Sequence, residues 1–230
     1  MTGTSTIRLN PMEEAIAQLP KATAVEYRKG QVIYTGAQPS HRVYFLLDGQ
    51  VAVSRLGSEG SPVVVGIYQT HEVFGEGALV NQTSRFEQAA ALENSRLCSW
   101  PATEIVEAIV RQPHLGMAIA KHLVERESEL RWRIESFATD RILRRVARAL
   151  IRLSDRLGTP DANGWVRMLP LTHKLISQYV GSTREIVTHH MTDFRKMGFV
   201  NYSRTGILVN RAALEGWLED KAAVTAGSLS

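Results

Sequence analysis

The chain has 230 residues, of which 44% are hydrophobic and 22% charged, with a net charge of +4 and a single cysteine, Cys98. This composition excludes a disordered chain and a fibrous repeat, and one cysteine excludes an intramolecular disulfide and an iron–sulfur cluster held by four thiolates. The N-terminus lacks the apolar segment of a signal peptide, and no stretch approaches the ~18 apolar residues of a membrane span, so we expect a cytoplasmic protein of two modest domains with no membrane contact.

A short helix and a series of strands are predicted for the N-terminal part. Residues 11 to 19 have helical spacing, and residues 25 to 100 read as short strands separated by turn residues. Strands at this spacing are typical of an antiparallel roll or barrel. The residues from Val43 to Val53 predict a hairpin with Asp48-Gly49 as a type I′ turn, because Asp-Gly adopts the positive φ angles of that turn.

A long helix is predicted over residues 113 to 138. Pro113 suits its first turn, and five apolar residues recur at spacings near 3.5 or 4, namely Ile119, Leu123, Leu130, Ile134 and Phe137. A stripe this narrow is typical of a coiled-coil seam, so we expect the helix to form a homodimer. Packing against the chain's own strands is the alternative.

The C-terminal part predicts a winged helix-turn-helix. Asp140 is expected to cap the first helix of this part. The segments are a helix over residues 141 to 157, a loop over 159 to 164, a strand over 165 to 169, helices over 172 to 180 and 183 to 197, and a hairpin over 200 to 209 that turns at 204 to 206. Gly181 between two helices permits the tight reversal of a DNA-reading motif.

The basic charge lies in the same part of the chain. Residues 1 to 138 contain 13 Lys and Arg against 15 Asp and Glu, a net −2, whereas residues 139 to 230 contain 14 against 8, a net +6. Because phosphate neutralisation supplies most non-specific affinity for DNA, this asymmetry is typical of a nucleic-acid reader with a separate sensor domain. A solvated basic helix face is the alternative.

Residues 181 to 189 read Gly-Ser-Thr-Arg-Glu-Ile-Val-Thr-His. This segment is similar to the recognition-helix motif in the family of the cyclic-AMP receptor protein and the FNR regulators, and the resemblance runs from about Val25 to Val209. In that family an Arg-Glu pair reads base edges, and an Arg four residues beyond the Glu adds a third contact. Arg184 and Glu185 match this pattern, whereas His189 stands in place of the third residue.

The residue types around this motif separate base contacts from phosphate contacts. The guanidinium of Arg184 suits O6 and N7 of guanine, and Glu185 can accept from a cytosine amino group. Ser182 and Glu185 also have the spacing of a capping box, which would hold Glu185 on the helix backbone instead. Thr172, Ser182 and Thr183 suit phosphates. The predicted DNA-binding set is Thr172, Ser182, Thr183, Arg184, Glu185, Thr188, His189 and Arg204.

Residues 74 to 80 read Phe-Gly-Glu-Gly-Ala-Leu-Val, and Arg85 follows nine residues after the Glu. This is similar to the phosphate-binding cassette of cyclic-nucleotide-binding domains. In such a cassette a small residue lets backbone N–H groups approach a phosphate, a carboxylate accepts from a ribose hydroxyl and a guanidinium pairs with the anion. The predicted effector-binding residues are Gly75, Glu76, Ala78, Arg85, Phe86 and Arg126.

The resemblance leaves the effector open between three alternatives. A cyclic nucleotide such as cyclic AMP comes first, although Leu130 and Arg131 stand where the cyclic-AMP receptor protein presents hydroxyls to adenine. The Arg85-Phe86 pair also resembles nitrogen-control regulators, which bind 2-oxoglutarate. The third alternative is a regulator without an effector, controlled by its own abundance.

Arg126 bears on the same choice, because a desolvated arginine on a seam needs an anion or a carboxylate as its partner. It either helps to hold an anionic effector or pairs within the protein, for instance with Glu127 or Glu129 of a neighbouring helix. Likewise, Arg85 pairs with Glu76 if the site holds no effector.

The resemblance implies an α+β architecture in three parts: an N-terminal cyclic-nucleotide-binding-type antiparallel β-roll (jelly roll) over residues 1 to 112, a dimerisation helix over 113 to 138 and a winged helix-turn-helix over 139 to 230. The implied function is a homodimeric transcription regulator that binds a pseudo-palindromic double-stranded DNA site. The loop over 159 to 164 is a candidate contact for RNA polymerase.

An enzyme of the cupin type is the rival hypothesis, because jelly rolls also hold metal oxygenases. Such sites need clustered ligands, typically a His-x-His pair, and the roll offers only the separated His41 and His71. We therefore expect no catalytic residue and no metal site.

Overall fold

The computed structural model describes residues 11–37, 41–57, 60–80 and 87–227, with side chains up to residue 220. The chain divides into two compact units, Met1–Leu130 and Arg131–Ser230. The division lies within one long helix. No helix among the described residues has the length and apolar character needed to cross a bilayer.

The N-terminal unit contains two four-stranded antiparallel sheets, which confirms the predicted roll. Its elements are α1 (Pro11–Ile16), β1 (Val25–Tyr27), β2 (Val32–Tyr34), β3 (Arg42–Asp48), β4 (Gln50–Leu56), β5 (Pro62–Gln69), β6 (Val73–Phe74), a 3₁₀ helix (Glu76–Val80), β7 (Glu87–Ala91), β8 (Ser95–Pro101), α2 (Ala102–Arg111) and the start of α3 (Pro113–Thr139). One sheet has the strand order β1-β8-β3-β6 and the other β2-β7-β4-β5.

The predicted hairpin between β3 and β4 is wrong, because these strands belong to different sheets. Strand β3 pairs with β6 and β8, and β4 pairs with β5 and β7. Gly49 has a positive φ of 99° but Asp48 does not, so the two residues do not form a type I′ turn. Asp48-Gly49 instead marks the point at which the chain passes from one sheet to the other.

Strand β3 is buried on both of its faces, which explains its continuous apolar sequence. Tyr44 and Leu46 point into the interior of the roll. Val43 and Phe45 point to the opposite face, where they pack in a second core with residues of α1, α2 and α3. Cys98 lies in this second core, and burial raises the pKa of its thiol.

Helix α2 is absent from the elements predicted from sequence. It begins directly after Pro101 and ends at Arg111, with Gln112 as its C-cap immediately before Pro113. Its buried residues are Ile105 and Ala108, so its apolar face is too short to produce a long periodic pattern.

Helix α3 matches the predicted range and closes the second core of the N-terminal unit. Leu115 and Ile119 are buried in that core, with Ile119 only 6% exposed. His122 is buried as well, with its Nε2 2.8 Å from the carbonyl oxygen of Val73. Ile119 therefore belongs to the unit's own core and not to the predicted seam.

The next buried polar residue of α3, Arg126, pairs within the protein. Its Nη1 donates to Oε2 of Glu129 at 2.9 Å, and its guanidinium lies 4.3 Å from the ring centre of Tyr68. On β5, Gly66 leaves the space that this guanidinium fills. Of the two alternatives for Arg126, the structure shows the internal ion pair, with Glu129 of the same helix rather than of a neighbouring one.

The C-terminal unit combines helices with a small antiparallel sheet of strand order β11-β12-β10-β9. Its elements after α3 are α4 (Ile142–Leu157), β9 (Thr159–Pro160), β10 (Val166–Met168), α5 (His173–Val180), α6 (Arg184–Lys196), β11 (Val200–Ser203), β12 (Gly206–Val209) and α7 (Arg211–Gly227). The order of helix, turn, helix and wing is the predicted one. Helix α7 was not predicted, and β9 occupies the start of the predicted loop.

The predicted cap at Asp140 is wrong. Helix α4 has Arg141 as its N-cap, without a side-chain capping bond in the described part of the chain. The Asp140 carboxylate instead accepts from Oγ of Ser136 at 2.7 Å and lies 3.5 Å from Nε of Arg144 and 3.3 Å from Nε of Arg148. The arginines on α4 therefore draw this carboxylate away from the backbone N–H groups.

Replacing Arg126 with Met should destabilise the N-terminal unit, because the largely buried carboxylate of Glu129 loses its hydrogen-bonded ion pair with Arg126. We expect the free energy of unfolding to fall by roughly 3 kcal/mol. The double variant Arg126→Met/Glu129→Met should recover most of that loss, since it removes both charges of this pair from the interior. Urea denaturation of the three proteins measures this, and an equal loss in the single and double variants would contradict it.

Candidate nucleic-acid interface

The two helices of the motif are joined at a left-handed residue. Gly181 ends α5 with φ 63° and ψ 55°, a conformation that favours glycine. The backbone N–H of Ser182 then donates to the carbonyl of Ser177 at 3.0 Å. Four apolar residues of α5 and α6 are buried, each at most 2% exposed: Ile176, Val180, Val187 and Met191.

Helix α6 begins one residue later than a capping box at Ser182 would require. Thr183 is the N-cap, and its Oγ1 accepts from the backbone N–H of Ile186 at 3.4 Å. The capping-box alternative for Ser182 and Glu185 is therefore wrong. Glu185 is exposed at the second position of the helix, where its carboxylate is available to a base.

The hydroxyl groups at the N-terminal ends of α5 and α6 differ in how available they are to donate a hydrogen bond to a phosphate. Thr172 and Thr183 are exposed, and each accepts a backbone N–H as a cap while keeping its own O–H as a donor. The Oγ of Ser182 is buried and has no hydrogen-bond partner among the described residues. Thr172 and Thr183 are thus better placed than Ser182 for a phosphate contact.

The exposed face of α6 holds Arg184, Glu185, Thr188 and His189. Oγ1 of Thr188 lies 3.0 Å from Nδ1 of His173, which ties the side chain of Thr188 to α5. Burial and then the nearby Arg184 lower the pKa of His173, which keeps this imidazole neutral at pH 7. The face therefore presents an exposed arginine and an exposed carboxylate beside two side chains that have partners in the protein.

His189, in the position of the third predicted base contact, has a neighbour on its own helix. Its Nε2 lies 3.3 Å from Oδ2 of Asp193, and its side chain is 73% exposed. A pair this exposed contributes little to stability and opens readily.

Wing and loop residues lie at exposed turns. Arg204 stands in the turn between β11 and β12, which pair from Val200–Val209 to Ser203–Gly206. Strand β9 pairs with β10, which shortens the predicted loop to a turn at 161–164. Oδ1 of Asp161 organises that turn by accepting from the backbone N–H of Asn163 and of Trp165.

Two arginines hold the C-terminal end of α5, and sequence reasoning missed both. Nη2 of Arg133 donates to the carbonyl of Tyr179 at 2.9 Å, and Nη1 of Arg145 donates to the carbonyl of Val180 at 3.0 Å. Phe137 lies between these guanidiniums, 5.8 Å from the first and 4.8 Å from the second. We call Arg133, Phe137 and Arg145 the arginine clamp. Its contacts depend on tertiary packing, so no local sequence signal marks them.

The cassette of the N-terminal unit has the backbone geometry of a tight turn. Gly75 has φ 80°, and a Cβ there would lie 2.8 Å from the carbonyl oxygen of Arg42. The 3₁₀ helix Glu76–Val80 follows, in which Ala78 is buried and donates its N–H to the carbonyl of Gly75. Gly75 is therefore required by the fold as well as by any ligand. Arg85 and Phe86 lie outside the described residues.

Aromatic rings fill the interior of the roll beside the cassette. Tyr44 and Phe74 stack at 5.0 Å, Tyr34 stacks on Tyr44 at 5.5 Å, and Tyr68 lies 5.4 Å from Phe74. Burial raises the pKa of the Tyr34 and Tyr68 hydroxyls, and the carboxylate of Glu76 adds to both shifts. Tyr68 also lies against Arg126, one of the predicted effector residues.

Comparisons with known proteins agree with both halves of the structure. Residues 24–112 match the cyclic nucleotide-binding domain family, and residues 144–217 match the Crp-like helix-turn-helix domain family. A global nitrogen regulator of Nostoc sp. is 30% identical over 187 residues, which cover 80% of this chain and 84% of that protein. A CRP-like cAMP-activated global transcriptional regulator of Mycobacterium tuberculosis is 24% identical over 197 residues, 85% of this chain and 88% of that protein.

A solved structure extends the agreement to the fold. A CRP/FNR-family transcriptional regulator from Thermus thermophilus superposes with a TM-score of 0.69 at 29% identity, over 86% of this chain and 98% of that one. The same two domain types, joined in the same order through a long helix, occur here. The chain therefore belongs to the CRP/FNR family of DNA-binding transcription regulators and not to a family of enzymes.

Proposed function

We propose that the chain acts as a homodimer that reads a pseudo-palindromic double-stranded DNA site with the first turns of α6. The observation that carries this proposal is the N-cap of α6 at Thr183, which leaves Arg184 and Glu185 exposed and outside a capping box. Arg184 is assigned to guanine and Glu185 to cytosine, with Arg204 on a phosphate. His189 adds a base contact when it leaves Asp193.

The dimer is supported by an apolar stripe on α3 that the described residues leave uncovered. Leu123, Leu130, Ile134 and Phe137 are 39%, 42%, 67% and 37% exposed. They recur at three-, four- or seven-residue spacing along one helix, the pattern of a coiled-coil seam. A two-fold dimer would cover this stripe and supply one recognition helix to each half-site.

The three functional parts keep their sequence-based assignment: a sensing roll over residues 1–112, the dimer helix over 113–138 and the DNA-binding part over 139–230. The family matches over residues 24–112 and 144–217 support this division. The turn at 161–164 is proposed as a contact for RNA polymerase, since residues 162–164 are exposed.

For the sensing roll we propose a small anionic effector, with a cyclic nucleotide as first choice. The cassette backbone at Gly75 and the carboxylate of Glu76 support a phosphate and a ribose hydroxyl respectively. The name of the mycobacterial relative supports cyclic AMP. The Nostoc relative is named a global nitrogen regulator, and the Arg85-Phe86 pair resembles nitrogen-control regulators, so 2-oxoglutarate stays the alternative.

The second candidate is a regulator whose DNA binding needs no effector. The ion pair between Arg126 and Glu129 favours it. Glu129 already neutralises Arg126, so this arginine adds no net charge for an anion. The aromatic rings beside the cassette also occupy interior space. A regulator of this kind would be controlled by its abundance.

Leu130→Glu should separate the dimer, because it places a charge in the centre of the apolar stripe. Sedimentation at micromolar concentration should show a dimer for the original chain and a monomer for the variant, with DNA affinity lost in parallel. Val110→Glu on α2 is the matched control, since Val110 is 78% exposed and lies outside the stripe. A monomeric original chain, or a dimeric Leu130→Glu variant, would disprove the assignment.

Arg184→Ala should weaken specific DNA binding by about 1–3 kcal/mol and relax the preference for one G·C pair. Arg204→Ala should instead weaken binding to all sequences alike, because a phosphate contact carries no sequence information. Titration of labelled DNA with single base-pair changes measures both effects. Arg111→Ala, an exposed arginine of α2, is the control. If Arg184→Ala kept full discrimination at every position, its base contact would be ruled out.

Cyclic AMP should bind the cassette with a dissociation constant below about a millimolar, and more tightly than 2-oxoglutarate. Calorimetry with cyclic AMP, cyclic GMP and 2-oxoglutarate, repeated with DNA present, measures this, since linkage requires equal gains in both affinities. Glu76→Gln should weaken the binding of the cyclic nucleotide. Glu72→Gln is the comparison variant and should leave this binding unchanged. If DNA bound tightly and none of the three ligands showed detectable binding, the result would instead support control without an effector.

A further inference from the structure

Three metal-ligating side chains come together on α6, beside the residues assigned to DNA. His189, His190 and Asp193 each offer one ligand atom, and these atoms all lie within 4.8 Å of one another. His189 and Asp193 are four residues apart and therefore share one face of α6, and His190 directly follows His189.

Two of the three ligand atoms already have the separation that a metal ion requires. Nε2 of His189 lies 3.3 Å from Oδ2 of Asp193. In tetrahedral coordination with bonds of about 2.0–2.1 Å, two ligand atoms lie about 3.3–3.4 Å apart. A cation can therefore bridge His189 and Asp193 without movement of the helix backbone.

His190 supplies the third ligand of the cluster. Its Nδ1 is buried and has no hydrogen-bond partner among the described residues. The rings of His189 and His190 are 5.5 Å apart between centroids and tilted by 52°.

An ion pair between His189 and Asp193 explains the cluster less completely. A pair with side chains 73% and 34% exposed stabilises a helix by about 0–1 kcal/mol at most. It also makes no use of His190 and leaves the buried Nδ1 of that ring unsatisfied.

We propose that His189, His190 and Asp193 bind a divalent transition-metal ion of the zinc type on the recognition helix. Two imidazoles and a carboxylate suit Zn²⁺, and three protein ligands leave one position for water. In the sequence, these ligands form the local pattern His-His-x-x-Asp. From the sequence alone, no metal site was predicted at this pattern. An ion held here withdraws His189 from base contact and changes the charge of this helix face by +2.

Calorimetric titration of the full chain with Zn²⁺, without DNA, tests the site. We expect one ion per chain, and His189→Ala, His190→Ala and Asp193→Asn should each weaken binding about tenfold or more. His114→Ala, an exposed histidine at the start of α3, should leave the affinity unchanged. Absence of Zn²⁺ binding, or equal affinity in the three variants and the original chain, overturns the proposal.

Co²⁺ provides a second readout that does not depend on affinity. The visible absorption of Co²⁺ in the original chain should be that of a four-coordinate ion with nitrogen and oxygen ligands, and it should disappear in His190→Ala. Circular dichroism of each variant confirms that α6 remains folded. Because both experiments omit DNA, their failure would leave the proposed DNA-binding function intact.

Discussion

The arginine clamp is the interaction on which the DNA-reading geometry depends. Arg133 is only 5% exposed, and burial of its charge is costly unless partners replace water. The C-terminal carbonyls of α5 are such partners, since they carry the negative end of the helix dipole, and the ring of Tyr179 lies 4.3 Å from the guanidinium. With the end of α5 held in this way, the chain turns at Gly181.

The turn at Gly181 determines which side chains face solvent. The ring of Phe137, part of the clamp, lies where a Cβ on Gly181 would approach it to 3.0 Å, so both the positive φ and the contact favour glycine. Thr183 then caps α6, and the helix begins at Arg184. The same Phe137 is partly exposed at the end of the apolar stripe on α3. One residue therefore contributes to the helix-turn-helix and to the proposed dimer.

Helices and turns that depend on neighbouring residues in the sequence could be predicted, whereas contacts between residues far apart in the sequence could not. Helices α3, α5 and α6 and the wing follow from periodicity and turn residues. Asp48-Gly49 predicted where the chain turns but not which strands pair, because pairing depends on β6 and β8. Likewise, Asp140 suited a helix start by residue type, but the competing arginines of α4 lie on a face that only the fold defines.

For the candidate site as well, the sequence motif identified the exposed residues of α6 but not their contacts with other elements. Arg184 and Glu185 are adjacent in sequence and follow from the motif, whereas adjacent Ser182 and Thr183 are equally good caps and only geometry separates them. The contact between His173 and Thr188 requires α5 packed against α6. In the roll, Arg126 was recognised as a charge in need of a partner, but its stacking on Tyr68 depends on a strand and a helix brought together.

Selection of DNA from a random library, followed by sequencing, tests the central claim that two copies of α6 act as a pair on one duplex. The account predicts an enriched site with two inverted half-sites whose centres lie about 34–36 Å apart, one turn of the double helix, with a G·C pair in each half-site. Enrichment of a single unrepeated half-site, or of no sequence at all, would contradict it.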